Sequence, residues 1–296
     1  MNRLVQSGFA PGTSGGAVPD VSSASFIPRK VTGPQEAAEV LAAEGAAIVT
    51  GLADEERAVA MGRAIMGDRA VRCGTQFEAT KESARVEAMQ MKAQPADGRG
   101  RKRDAAGPSE ERMVAHNDGF AFGDYAPDHL FLWCERPAAR GGDSFLIDTS
   151  RLLDLLAADP GSAALADFCR TVDIDHSEPN YPQRGFSPIV RRTPSGRFQG
   201  RHHPYLAPVE GPLELEHWTY VRAWQAAVVA ARDSGPMFRV GPGEMICVDN
   251  YRVLHGRDGY SDPRRRVCSI WGWSQDAVAV PDGPLDIVVP RIPMAS

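Results

Sequence analysis

Two stretches of this chain carry side chains that could hold a single ion between them. The first is His116-Asn117-Asp118. If the stretch is extended, residues two apart face the same side, so His116 and Asp118 can bind one ion while Asn117 points away. A bare H-x-D occurs by chance in many sequences. The second is His255, near the end of PGEMICVDNYRVLHGR (242–257), where a tight turn feeds an apolar strand that runs into polar residues. A histidine at a strand's end is reachable as a ligand, but a hydrogen-bonded rim residue is the commoner use. Together, two imidazoles and one carboxylate form a facial set that leaves adjacent positions open on Fe(II). Zinc accepts the same donors with an open position, which would make a hydrolase, although no H-E-x-x-H run supports that use.

An anion site is legible beside them. Arg266 lies eleven residues after His255, in DPRRRV (262–267), enough for a turn and a return strand. On that strand Arg266, Cys268 and Ile270 share one face, and Val267, Ser269 and Trp271 the other. An arginine pointing inward is costly unless an anion meets it, and its planar fork suits a carboxylate. A surface triplet of arginines is the alternative. Gly141-Gly142-Asp143-Ser144 forms a glycine turn, and the Ser144 hydroxyl sits where it can help Arg266 hold the far end of a dicarboxylate. Substrate contacts could come from Phe120, Phe122 and Tyr125, or from Arg191, Arg192, Arg197, Arg201, His202 and His203. A cationic hairpin could hold a carboxylate or phosphate, though most such charges are simply solvated.

These residues need a frame to bring them together. Apolar runs at 129–134 (HLFLWC), 144–147 (SFLI), 245–248 (MICV) and 267–273 (VCSIWGW) read as strands, separated by turns at 139–143, 241–244 and 261–264. Pro194-Ser195-Gly196 turns IVRRT into RFQ, a hairpin over 189–199. Helices are expected over 34–45, 54–66, 150–158, 161–170 and 214–233, with a buried strand at 46–50. Many short strands with one helical insertion argue for a sandwich or barrel.

The 296 residues are 43% hydrophobic and 24% charged, with a net charge of −5, which excludes a largely disordered chain and gives no pull toward nucleic acid or an anionic membrane. Residues 1–30, rich in Gly, Ser, Pro and Ala, are expected to form a flexible arm, and 31–296 a single catalytic domain. Within it, 94–111 reads as a mobile loop with a basic cluster and about 175–235 as an insert. No apolar stretch reaches the length of a membrane helix, and no secretory signal is legible. Five cysteines, an odd count without a C-x-x-C pair, read as reduced thiols in a cytoplasmic protein. His129, His176 and His217 are given structural roles.

The order H-x-D, then G-G-D-S, then P-G-E…D-N…H-G-R, then an arginine on the next strand resembles the TauD/TfdA family, which includes clavaminate-synthase-like oxygenases dependent on Fe(II) and 2-oxoglutarate. The resemblance spans roughly residues 110–275, and the His255–Arg266 spacing is that of TauD-type members. It implies a mainly β fold with flanking helices, a double-stranded β-helix (jelly roll, cupin-like). It implies His116, Asp118 and His255 as the catalytic iron ligands, and Arg266 with Ser144 on the distal carboxylate of 2-oxoglutarate. The implied reaction consumes O2, releases succinate and CO2, and hydroxylates an unactivated C–H of a small metabolite, an amino acid or biosynthetic intermediate. Desaturation or ring closure are alternative outcomes of the same chemistry. Related halogenases replace the carboxylate ligand with a small residue, so Asp118 argues against halogenation. Taurine-type members carry a second arginine four residues beyond the first. Here that position is Ile270, so a sulfonate is not the expected substrate. The expected partner is a small molecule, with neither nucleic acid nor membrane; a homo-oligomer is compatible with the sequence.

Overall fold

The computed structural model describes residues 19–80, 112–177 and 185–285. Its first half runs β1 (Arg29–Val31), α1 (Pro34–Glu44), β2 (Ala46–Val49), α2 (Glu55–Met66), β3 (Ala70–Thr75) and a one-turn α3 (Gln76–Ala79). After the His116–Asp118 segment come β4 (His129–Arg136), β5 (Ser144–Asp148), α4 (Thr149–Ala158) and α5 (Ala163–Thr171). Five short strands follow: β6 (Ile174–Asp175), β7 (Phe186–Ser187), β8 (Val190–Arg192), β9 (Phe198–Gly200) and β10 (Ala207–Pro208). The chain then forms α6 (Glu214–Ser234), β11 (Glu244–Asp249), β12 (Val253–Arg257) and β13 (Arg266–Ser274).

Alternation along the long strands sorts the apolar residues into layers. The main sheet has the order β1-β2-β11-β4-β13-β3, antiparallel except for the β1–β2 edge pair. On one face Phe131, Trp133, Met245, Cys247 and Ile270 pack against Val40, Leu41, Ala58 and Ile65 of α1 and α2. On the other, Leu130, Ile246, Val248, Trp271 and Trp273 meet Leu146 and Val253 of the antiparallel β5–β12 pair. The far side of that pair, Phe145, Ile147 and Leu254, is covered by Leu152, Leu156, Phe168 and Trp224 of α4, α5 and α6. The result is helix, sheet, sheet, helix. Each large apolar side chain placed this way contributes roughly 1.5–3 kcal/mol, so the two walls around the inner layer are firmly held.

Local chemistry fixes the ends. Pro34 opens α1, and Gly45 closes it in the left-handed region (φ 84°) with its N–H on the Leu41 carbonyl. Asp148, at the end of β5, caps α4 through the Ser150 and Arg151 N–H groups and accepts Arg252 at 2.6 Å, tying helix and β12 together. The expected hairpin is β8–β9, with its turn at 193–196. Described residues of the expected arm are not loose. From residue 19 the chain packs, with Val21 and Ala24 in the helical-side core and β1 in the sheet, because those residues supply an apolar edge that α4 and α6 need. The loop at 94–111 lies outside the described residues, as do 178–184 of the insert. All five cysteines are free thiols. Among the described residues no helix is long and apolar enough to cross a membrane.

Candidate metal centre

His116 and His255 come from segments far apart in sequence, and backbone pairing joins them. The N–H of each donates to the carbonyl of the other, at 3.1 and 3.0 Å, in an isolated antiparallel bridge. Inner-face alternation on β12 (Val253, His255, Arg257) turns the His255 ring inward, while Leu254 faces the helices. His116 and Asp118 share a side, and Asn117 points away, as extended backbone requires. The Asn117 side chain accepts from the His202 N–H and donates to the Asn250 carbonyl. Asn250 in turn clasps Asp118, its Oδ1 accepting from the Asp118 N–H at 2.9 Å and its Nδ2 donating to the Asp118 carbonyl at 2.9 Å. The D-N pair of the 242–257 motif is therefore the buckle that holds the carboxylate segment.

The three donors converge. One ligand atom from each of His116, Asp118 and His255 lies within 4.8 Å of the others. Asp118 Oδ1 is 3.5 Å from His116 Nε2 and 3.4 Å from His255 Nε2, close to the roughly 3 Å between adjacent donors held at about 2.1 Å from one ion. Asp118 Oδ2 is occupied otherwise, accepting from Trp271 Nε1 at 2.9 Å and from Ser269 Oγ at 3.3 Å. One carboxylate oxygen is thus tied back and the other faces the imidazoles. His116 Nδ1 lies 2.9 Å from the Val114 carbonyl, which places the ring proton on Nδ1 and the lone pair on Nε2.

The electrostatics ask for a cation. Burial opposes ionisation of Asp118, but hydrogen bonds and charge from His116 and His255 outweigh it and hold the carboxyl well below its ordinary range. Burial disfavours a charged His116, yet the Asp118 carboxylate and the Val114 carbonyl raise its pKa nonetheless. His255 is lowered, by burial first and by His116 second. A buried carboxylate that draws a proton onto a neighbouring imidazole suits a divalent ion at the same point. Donor types and spacing fit, as does the His116 tautomer.

The anion site needs a correction. Arg266 points away: its side chain is 68% exposed and pairs with Glu135 at 3.1 Å. The face it shares with Cys268 and Ile270 is the helix-covered one, and Ile270, fully buried there, is no substrate contact. Val267, Ser269 and Trp271 occupy the metal face, so the arginine of matching parity is Arg265. The β4–β13 register slips between Arg266 and Val267. Arg265 lines a cleft with Ser144, Arg239, Leu132, Ile246 and Val267. Its guanidinium stands 4.9 Å over the Tyr260 ring, and Arg257, buried two residues beyond His255, stands 4.4 Å from that ring. Arg257 was legible only as a letter of H-G-R. Ser144, facing inward and buried, pairs with Arg257 across β5–β12, while Leu146 pairs with His255. A two-residue step along a strand is about 7 Å, so the cleft begins one small dicarboxylate's length from the metal donors. Gly141 lets this turn close: a Cβ there would lie 2.2 Å from the Gly259 carbonyl.

The remaining expected contacts divide. Phe120 stacks on His203, with centroids 4.3 Å apart and planes at 4°. Tyr125 stands at the surface, 47% exposed, and its carbonyl accepts from Trp273 Nε1. Arg191 is committed to Asp124 at 2.6 Å and to Gln199. His202 Nδ1 accepts from Trp224 Nε1 at 3.0 Å, so its ring belongs to the helical-side core rather than to a substrate. Arg201 is buried beside Phe120, whose carbonyl it reaches at 3.3 Å.

Comparison with known proteins bears on the fold and the family. Among solved structures, an asparagine oxygenase in complex with Fe(II), 3-hydroxyasparagine and succinate superposes with a TM-score of 0.52 at 18% identity, covering 82% of this chain and 78% of that one. AAD-2, in complex with Mn(II) and N-oxalylglycine, gives 0.55 at 13% identity over 85% and 97%. PvcB from Pseudomonas aeruginosa gives 0.50 at 16% identity over 81% and 79%. At these identities the likeness is one of fold. The family model described as taurine catabolism dioxygenase TauD, TfdA family, matches residues 10–271, and the chain belongs to that family.

Proposed function

We propose that this chain is an Fe(II)- and 2-oxoglutarate-dependent oxygenase that hydroxylates an unactivated C–H of a small metabolite. The observation that carries the reading is the convergence of His116, Asp118 and His255, with Asp118 Oδ2 tied to Trp271 and Ser269 so that one oxygen serves the ion. Fe(II) with 2-oxoglutarate and O2 supplies oxidative decarboxylation to succinate and CO2 coupled to oxygen insertion.

The protein's part follows from its own side chains. His116 and His255 would offer Nε2 lone pairs and Asp118 its Oδ1 to the ion. Ser144 and Arg265 are assigned the distal carboxylate of 2-oxoglutarate, Arg265 replacing Arg266 in that role. Arg265 has no carboxylate partner among the described residues, whereas Arg266 already has Glu135. This unspent guanidinium favours the oxygenase over a zinc hydrolase built on the same three donors, which has no use for such a clamp. The two sheets facing each other across Leu146, Trp271 and Trp273 are read as the walls of a double-stranded β-helix, with His255 in the middle of β12.

The reading is tested by succinate release from the purified protein across a panel of amino acids and other small metabolites. Release should depend on Fe(II), 2-oxoglutarate and O2 together and rise with one class of metabolite. Release indifferent to iron would contradict it, as would hydrolysis supported by zinc alone.

A further inference from the structure

The arginines of the hairpin region are nearly all accounted for. Arg191 pairs with Asp124, Arg192 reaches the Gly196 carbonyl at 3.1 Å, and Arg197 bridges Asp128 and Asp249. Arg201 differs. It is 6% exposed, yet no carboxylate among the described residues pairs with it. Among the described residues its guanidinium makes only long hydrogen bonds, Nη1 to Ser187 Oγ at 3.4 Å and Nη2 to the Phe120 carbonyl at 3.3 Å. A guanidinium carries five donors, and burying them unspent is expensive unless an anion arrives.

Two further groups in the same place lack partners among the described residues. His203 Nδ1 accepts from the Tyr205 N–H at 3.2 Å, so the neutral ring carries its proton on Nε2, and that buried nitrogen has no partner. His176 Nε2 lies 3.0 Å from the Ser187 carbonyl and must be the protonated nitrogen, which leaves its buried Nδ1 as an unused acceptor. The two imidazoles have centroids 5.7 Å apart. Gly185 lies against the cluster: a Cβ there would stand 3.9 Å from Arg201 Nη1, Arg201 Nη2 and His176 Cβ. Burial, reinforced by Arg191, lowers Arg201 to about 10, and burial with Arg201 lowers His203 to about 2. Both shifts come from burial first and from neighbouring positive groups second.

The cluster adjoins the metal centre through the backbone. His202, between Arg201 and His203, pairs with Asn117, the residue between two of the ligands. Phe120, two residues past Asp118, stacks on His203 and takes the Arg201 hydrogen bond on its carbonyl.

We propose that Arg201 and the His203 Nε2–H bind the carboxylate of the substrate, and that His176 Nδ1 accepts from a donor on the neighbouring carbon. The substrate class is then a small 2-amino or 2-hydroxy acid. This deepens the oxygenase reading and rests on it for the role of the bound acid. A planar guanidinium offers two parallel donors to a carboxylate, and the third donor comes from an imidazole.

Calorimetric binding to the full chain tests the proposal, using 2-amino and 2-hydroxy acids and their carboxamides as probes. It is run anaerobically with Fe(II) and 2-oxoglutarate, and in parallel without them. An acid should bind at least about tenfold more tightly than its carboxamide, the worth of a charge-assisted pair. Arg201→Gln, with its fold checked by circular dichroism, should erase that preference. Arg201→Lys, which keeps the buried charge, should still weaken the acid because the fork is lost. Equal binding of acid and amide would overturn the proposal, as would wild-type affinity in Arg201→Lys or binding of no acid in either arm. Acid binding without any iron- and 2-oxoglutarate-dependent visible band would retain the subsite and count against the oxygenase reading instead.

Discussion

Asp118 uses its two oxygens differently, and the division fixes the orientation of its carboxylate. Oδ2 is held by Trp271 Nε1–H at 2.9 Å, and Oδ1 faces both imidazoles. Trp271→Phe keeps the ring and removes the donor, so Fe(II) affinity should fall about 10- to 100-fold, the usual cost of losing a partner behind a ligand. Equilibrium titration of the apo-protein with Fe(II) checks this, and unchanged affinity would show that the hydrogen bond is incidental. Arg265 and Arg266 make a paired prediction. Arg265→Ala should raise the KM for 2-oxoglutarate at least about tenfold, through loss of a charge-assisted contact. Arg266→Ala, which removes only an exposed pair with Glu135, should leave it within about twofold. Steady-state kinetics in which Arg266→Ala is the damaged variant would reverse the assignment.

The elements explain why His116, Asp118 and His255 come together as their spacing suggests while Arg266 turns outward. H-x-D and H-G-R each place ligands by local alternation, and two residues suffice to read a side. Alternation along β13 sorts Arg266, Cys268 and Ile270 onto one face and Val267, Ser269 and Trp271 onto the other, as in the structure, but alternation alone does not say which face the helices cover. That is decided by the packing of α1 and α2, which are distant in sequence. Trp271 and Ser269 went unassigned for the same reason, and Asn250 because its partner lies 132 residues away. Helices α1, α2 and α4 to α6, by contrast, were legible to within a residue or two, since caps and apolar spacing are local. His202 ties β9's extension to α6 through Trp224, and burial and His116 lower its pKa to about 3. Its unfolded value is near 6.5. The unfolded chain therefore takes up the proton first, so stability is full above pH about 6.5 and falls as the pH drops toward 3. Between pH 7 and 5 the loss from this group is on the order of 2 kcal/mol. His202→Asn keeps an acceptor for the indole and removes the titration. Its thermal midpoint should fall less steeply than that of the wild type over that interval, and parallel curves would refute the linkage.

Taken whole, the molecule places its chemistry in one layer. The inner faces of the six-stranded sheet and of β5–β12 carry the apolar floor, the metal donors and the Ser144–Arg265 cleft, while the outer faces are sealed by helices. Packing on both outer sides holds the two walls apart at a fixed distance, so ligands supplied by separate segments meet without reorganisation. The most direct test is anaerobic titration of the purified protein with Fe(II) and 2-oxoglutarate together, followed in the visible range. A weak metal-to-ligand charge-transfer band should develop and saturate, and it should be absent from Asp118→Ala. Saturating conditions that give no band in the wild type, or an undiminished band in Asp118→Ala, would contradict the site described.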